Sequence, residues 1–201
     1  MDPGERQHWD PADCEGDRHC PPRCPRFVDR AGRAWTVRRA GPDDRDPLVE
    51  TYRAFDPTRR AQGLPPATDA AIERWLDDVL SAGVNVVVGT DPVVGHAFYT
   101  PSGAAAPELA VFVTGDYEGR GLGRELCEHL IATAAAGGRD ALVLHVARRN
   151  RRARGLYASL GFERVRPATR DPGGGPITLR LELGDGRGVA SQLPPAMRPE
   201  E

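Results

Sequence analysis

The sequence predicts an α/β domain of the α+β kind, a mixed and mostly antiparallel sheet flanked by helices. Three observations predict it. Short β-rich runs recur at 34–40, 85–90, 93–101, 108–113 and 141–147. Stretches with apolar residues at helical spacing lie between them. NVVVGT and VVGHAFYTP are separated only by Asp91 and Pro92, a connection short enough for an antiparallel hairpin and too short for a crossover helix.

The elements follow in order. AWTVRRA alternates as a strand, and GPDDRDPLVETYRAF places Asp43 and Asp44 near a helix start with Leu48, Val49, Tyr52 and Phe55 at helical spacing. DPTRRAQGLPP carries turn chemistry. ATDAAIERWLDDVLSAG then sets Ile72, Trp75, Leu76, Val79 and Leu80 on one face and stops at Gly83. After the hairpin, ELAVFV is a strand, and GRGLGRELCEHLIATAAAGG is a helix of about four to five turns with Leu122, Leu126, Leu130 and Ile131 inward. ALVLHVA reads as a buried strand, NRRARGLYASLG as a short helix capped by Asn150, and 162–166 and 177–183 as two last strands. The order is β-α-α-β-β-β-α-β-α-β-β, with no internal repeat.

The ends differ in composition. Residues 1–32 are rich in Pro, Asp, Arg and Gly and read as an arm, 33–183 as the folded domain, and 184–201 as a disordered tail. Of 201 residues, 23 are Gly and 19 Pro. The net charge of -2 removes a global electrostatic case for nucleic acid. No apolar run approaches the roughly 20 residues that span a bilayer, and MDPGERQHWDPADC has neither the basic nor the apolar part of a signal peptide, so the expectation is a cytoplasmic protein without a membrane partner. All 27 basic residues are Arg, which excludes self-acetylation on a lysine side chain. Cys14, His19, Cys20 and Cys24 form a C-x(4)-H-C-x(3)-C cluster whose ligand types suit a metal, although its spacing is not that of the paired zinc modules; Cys127, inside a helix, reads as a small buried residue.

The chemistry concentrates at VFVTGDYEGRGLGREL, where a strand runs into a helix whose first turn holds Gly121 and Gly123 beside Arg120 and Arg124. Glycines let the backbone approach a ligand, and the unpaired amides and dipole of a helix start favour an anion, so the turn suits a pyrophosphate. Downstream, Asn150, Ala153, Leu156, Tyr157, Gly161 and Phe162 form a second block.

The first block resembles the acetyl-CoA signature of the GNAT superfamily of N-acetyltransferases, Gln/Arg-x-x-Gly-x-Gly/Ala, and the second resembles its partner N-x-x-A-x-x-L-Y-x-x-x-G-F. The element order is also similar to the GNAT fold, over roughly residues 34–183. One position departs: Glu118 stands where Gln or Arg is usual, with Arg120 as a neighbour that could compensate. The resemblance implies acetyl-CoA as acyl donor, lying where the sheet opens between the strands at 108–113 and 141–147. It implies direct transfer to a primary amine of a small molecule or peptide, and, as in many relatives, a homodimer. Amides of Gly119, Arg120, Gly121, Leu122, Gly123 and Arg124 would hold the pyrophosphate, Val111 and Val113 would pair with the pantetheine arm, Asn150 would touch it, and Tyr157 would protonate the leaving thiolate.

A phenol can return a proton to a thiolate of similar basicity. Tyr157 is therefore the candidate acid, beside its reading as a core aromatic. The candidate base is Glu108 at the start of its strand, with His145 and His96 as alternatives. ARRNRRARG is either a reader of the 3′-phosphate or a solvated face. Tyr52, Phe55, Arg59, Arg60 and QGLPP would shape the acceptor pocket. Glu118 also motivates a second reading, a non-catalytic acyl-CoA-binding or regulatory module.

Overall fold

The structure, a computed structural model, describes residues 14–16, 20–56, 65–90, 92–165 and 175–184. Among these, eight strands form one sheet in the order β1-β2-β3-β4-β5-β6-β8-β7. They are β1 (Arg26–Val28), β2 (Ala34–Arg39), β3 (Val84–Val88), β4 (Gly95–Thr100), β5 (Glu108–Val113), β6 (Ala141–Val146), β7 (Glu163–Arg164) and β8 (Ile177–Glu182). The α-helices of the described residues are α1 (Arg45–Arg53), α2 (Asp69–Ala82), α3 (Leu122–Ala136) and α4 (Arg151–Ser159).

Period-two alternation divides the strands between two cores. Val86 and Val88 of β3, Leu109 of β5 and Leu142, Leu144 and Val146 of β6 pack with Leu122, Leu126, Leu130 and Ile131 of α3 and Tyr157 of α4. On the other face Val87 joins Leu48, Val49 and Tyr52 of α1 and Ile72 and Leu76 of α2, with Phe112 and Trp75 against them. The helical spacing of those residues is the reason each helix lies flat on its face. α3 packs closely over Gly95: a Cβ there would stand 2.9 Å from Leu126 Cδ1, so a larger residue would require that side chain to shift.

Among the described strands every pairing is antiparallel except one. β5 and β6 run parallel and register at a single pair, Glu108 with Val143. From there toward their C-terminal ends the two strands diverge, and this opening positions the site.

The expected element order is present, with one addition. Part of the segment expected as an arm belongs to the sheet: β1 pairs with β2 from Arg26↔Thr36 to Val28↔Ala34. Arg23 is 7% exposed, its guanidinium held by Glu125 at 2.6 and 2.9 Å and by Glu128. A three-residue strand with one inward apolar side chain, Phe27, carries too little periodicity to be read, and Arg23 is buried through ion pairing that no hydropathy pattern displays. The tail expected from Gly184 lies outside the described residues from 185 on. Among the described residues no helix is long and apolar enough to cross a membrane.

Candidate active site

β5 delivers the chain into α3 through a short 3-10 turn at Gly115–Tyr117 and the loop at 118–121. Gly121 stands before the first helical residue with φ 101°, a left-handed conformation that a side chain would strain. The helix that follows has 15 residues, and the amides of its first turn have no acceptor within it. Gly123 lies inside that turn; a Cβ there would face Val113 Cγ2 at 3.7 Å and Leu156 Cδ2 at 3.8 Å, one from each wall of the opening.

The opening is a cleft of about 1090 Å³. One wall is β5, including Glu108, Val111, Phe112 and Val113; the opposite wall is the end of β6 and α4, including His145, Asn150 and Tyr157; Gly119, Gly121 and Gly123 close one end. Of the expected site residues, Glu108, Val111, Val113, Gly119, Gly121, Gly123, Arg124, Asn150 and Tyr157 meet there. Two side chains do not line it. Leu122 is buried in the core, so only its backbone faces the turn. Arg120, expected beside the phosphate, lies over the Tyr117 ring at 4.9 Å and 3.8 Å from Asp29. The residue that meets Glu118 is Arg152, whose Nη1 donates to Glu118 Oε2 at 2.6 Å.

Tyr157 is 8% exposed and packs edge-on against Phe162 at 5.8 Å. Burial drives its pKa far up, so the hydroxyl keeps its proton near neutral pH. Asn150 caps α4, its Oδ1 accepting from the Ala153 amide at 3.0 Å. The arginine run divides: Arg149 and Arg152 line the cleft, whereas Arg148 donates to the Gly175 carbonyl and Arg154 to that of Arg148.

The three base candidates separate cleanly. Glu108 is exposed at the point where β5 leaves β6, on the face of Phe112. His145 lines the cleft from β6, with Nδ1 3.1 Å from Thr178 Oγ1. His96 is absent from the cleft wall and fully buried. Asn85 Nδ2 donates to the Val79 carbonyl at 2.9 Å, so Asn85 Oδ1 accepts from His96 Nε2 at 3.0 Å, and His96 Nδ1 accepts from the Tyr52 hydroxyl at 2.7 Å. Both ring nitrogens are thus committed, and burial lowers the pKa to about 3, although the Asp44 carboxylate pulls it up. His96 is a neutral structural residue.

Of the expected acceptor pocket, Phe55 lines the cleft; its ring lies 6.0 Å from that of Phe112, a lining residue of β5 that was not among those expected. Tyr52 stands behind them at 5.4 Å from Phe112. Arg59 and Arg60, and most of QGLPP, lie outside the described residues, as does His19 of the cysteine cluster. Among the described residues no group of His, Cys, Asp and Glu is placed to hold a metal. Cys127 is buried, as expected. Sequence reasoning did not find Arg30, which also lines the cleft, or the pairing of Arg152 with Glu118 across 34 positions.

A sheet split between two parallel strands, with a glycine turn at one end and a buried phenol on its wall, forms a cleft whose closed end suits an anion and whose wall holds a protonated hydroxyl. The model of the acetyltransferase (GNAT) family matches residues 48–162, more than half of the chain, and the chain belongs to that family. It is an acyltransferase that N-acetylates an amine. Over 137 residues it is 29% identical to the L-methionine sulfoximine/L-methionine sulfone acetyltransferase of Pseudomonas aeruginosa, a match covering 64% of this chain and 80% of that one. The fold is similar to that of the GNAT domain of S. lividans PAT, with TM-score 0.64 and 21% identity over 78% of this chain and 95% of that one. It is likewise similar to yncA from Salmonella typhimurium, solved with its cofactor acetyl-CoA, with TM-score 0.58 and 22% identity over 75% and 95% of the two chains.

Proposed function

We propose that the donor is acetyl-CoA, bound in the cleft between β5 and β6, and that the acceptor is the primary amine of a small molecule. The observation that carries this reading is the single registered pair between those strands, Glu108 with Val143, beside a glycine turn at the start of α3. A strand edge freed in this way offers backbone groups to an amide-bearing arm. The residues fit such a donor. Amides at 119–124 would take the pyrophosphate, the β5 backbone at Val111 and Val113 the pantetheine arm, and Asn150 the same arm from the other wall.

The thioester would then lie between Tyr157 and the face that bears Glu108 and Phe112. A neutral amine attacks the carbonyl, the C–S bond breaks, the thiolate takes the Tyr157 proton, and the proton of the attacking nitrogen passes to Glu108. His145, across the cleft, is the second group able to take it. An aromatic wall of Phe55 and Phe112 suits a compact acceptor with an apolar portion. A relative that acetylates L-methionine sulfoximine favours the amine of a free amino-acid analogue as the first acceptor to try.

The test is release of free thiol from acetyl-CoA with a panel of primary amines, beginning with L-methionine sulfoximine. Release that requires both the protein and an amine, with the acetylated amine recovered, supports the reading. Acetyl-CoA binding without transfer to any amine in the panel contradicts the small-amine acceptor.

A further inference from the structure

The hairpin that joins β1 to β2 lies wholly before residue 48, where the match to the family begins. It is fastened to the glycine turn of the cleft at several points. The Arg30 amide donates to the Arg120 carbonyl at 2.9 Å. The Asp29 carboxylate, with no exposed surface, accepts from the amides of Ala31 and Arg33 and from the Trp35 indole, each at 2.9 Å, and faces Arg120. Trp35 meets the Tyr117 ring edge-on at 5.6 Å. Upstream, Arg23 is held by Glu125 and Glu128 of α3. The tip of the hairpin is therefore tied to the turn by contacts of its own backbone and side chains.

From this tip the Arg30 side chain enters the lining of the cleft, alongside Tyr117, Glu118, Gly119 and Gly121. The neighbouring cations are committed elsewhere: Arg124 to Glu128 at 2.8 Å, Arg152 to Glu118 at 2.6 Å, and Arg120 to the Tyr117 face. Among the described residues no carboxylate pairs with Arg30. A tethered backbone carrying an uncommitted guanidinium at an anion-seeking turn is an arrangement for binding phosphate oxygens.

We propose that Arg30 is a phosphate-binding residue for the CoA nucleotide, supplied by the N-terminal hairpin from outside the family's span. The inference rests on acetyl-CoA being the donor. Arg30 contributes affinity for the donor and takes no part in the proton transfers at Tyr157 and Glu108.

The experiment is titration calorimetry of the full chain with CoA and with 3′-dephospho-CoA, on the native protein, Arg30→Ala and Arg30→Lys, at low and moderate salt. Because the side chain is exposed, Arg30→Ala keeps the native melting temperature. CoA binding weakens about five- to twentyfold, less so at higher salt, and Arg30→Lys recovers part of it. A loss confined to CoA assigns the contact to the 3′-phosphate; a loss shared by both ligands assigns it to the pyrophosphate. Native and Arg30→Ala proteins binding CoA equally well would overturn the inference alone. A native protein that binds neither ligand would overturn the donor reading and this inference with it.

Discussion

Arg152 Nη1 donates to Glu118 Oε2 at 2.6 Å, which ties the first turn of α4 to the loop that leads into the glycine turn. The pair spans the end of the cleft where phosphates would lie, and it gives the carboxylate at this position a cation to face.

Removing Arg152 exposes that carboxylate to an anionic ligand. Arg152→Ala should weaken acetyl-CoA binding about three- to tenfold, since both groups are partly solvated and their coupling is modest. Glu118→Gln in the Arg152→Ala background should recover most of the loss. The check is a double-mutant cycle of dissociation constants. A double variant that binds no better than Arg152→Ala alone would show that the charge of Glu118 is not what weakens binding.

Tyr157→Phe removes one hydroxyl from a buried ring and leaves its packing on Phe162 in place. Steady-state kinetics should show kcat lower by about a hundredfold with KM for acetyl-CoA little changed, the pattern of a group that acts in the transition state. A rise in KM with kcat preserved would instead make Tyr157 a wall of the binding site.

Glu108→Gln should lower kcat/KM near neutral pH by about tenfold or more. The deficit should shrink at alkaline pH, where hydroxide can take the proton of the attacking nitrogen in place of the carboxylate. If His145→Gln shows that pH-dependent deficit and Glu108→Gln does not, the proton goes to the β6 side of the cleft.

His96 makes stability depend on pH. Its folded pKa of about 3 lies below the ordinary 6.5, so below pH 6.5 the unfolded chain takes up a proton that the folded chain refuses. The stabilisation is complete above pH 6.5 and is lost as pH falls toward 3, at up to about 1.4 kcal/mol per unit. Denaturant unfolding between about pH 7.5 and 4.5 should show this slope, and His96→Gln should flatten it while lowering stability at the upper end of that range. Tyr52→Phe, which strips His96 Nδ1 of its donor, should cost about 1–3 kcal/mol near neutral pH.

The parts of the fold legible in the sequence are those where burial imposes a period. Leu122, Leu126, Leu130 and Ile131 mark the inner face of α3, and the alternation of Val86, Val87 and Val88 splits β3 between two cores. The glycine turn and the Asn150 cap are legible because each needs a particular residue for a local reason, a positive φ at Gly121 and an acceptor for the Ala153 amide. Pairings across long separations leave no such trace. Arg23 with Glu125 is 102 positions apart and Arg152 with Glu118 34, and each partner alone reads as a solvated charge. The direction of Arg120 is hidden for the same reason, since it depends on Asp29 and Tyr117 arriving from two other segments.

The most direct test of the central claim, that the cleft between β5 and β6 binds acetyl-CoA, is calorimetric titration of the native protein and Gly123→Glu. Gly123 has room for a Cβ facing both Val113 and Leu156, so the variant should fold while its carboxylate projects between the two walls of the cleft. One-to-one binding by the native protein, lost in the variant at an unchanged melting temperature, is the result the account predicts. Absence of binding by the native protein, or equal binding by a folded Gly123→Glu, would contradict it.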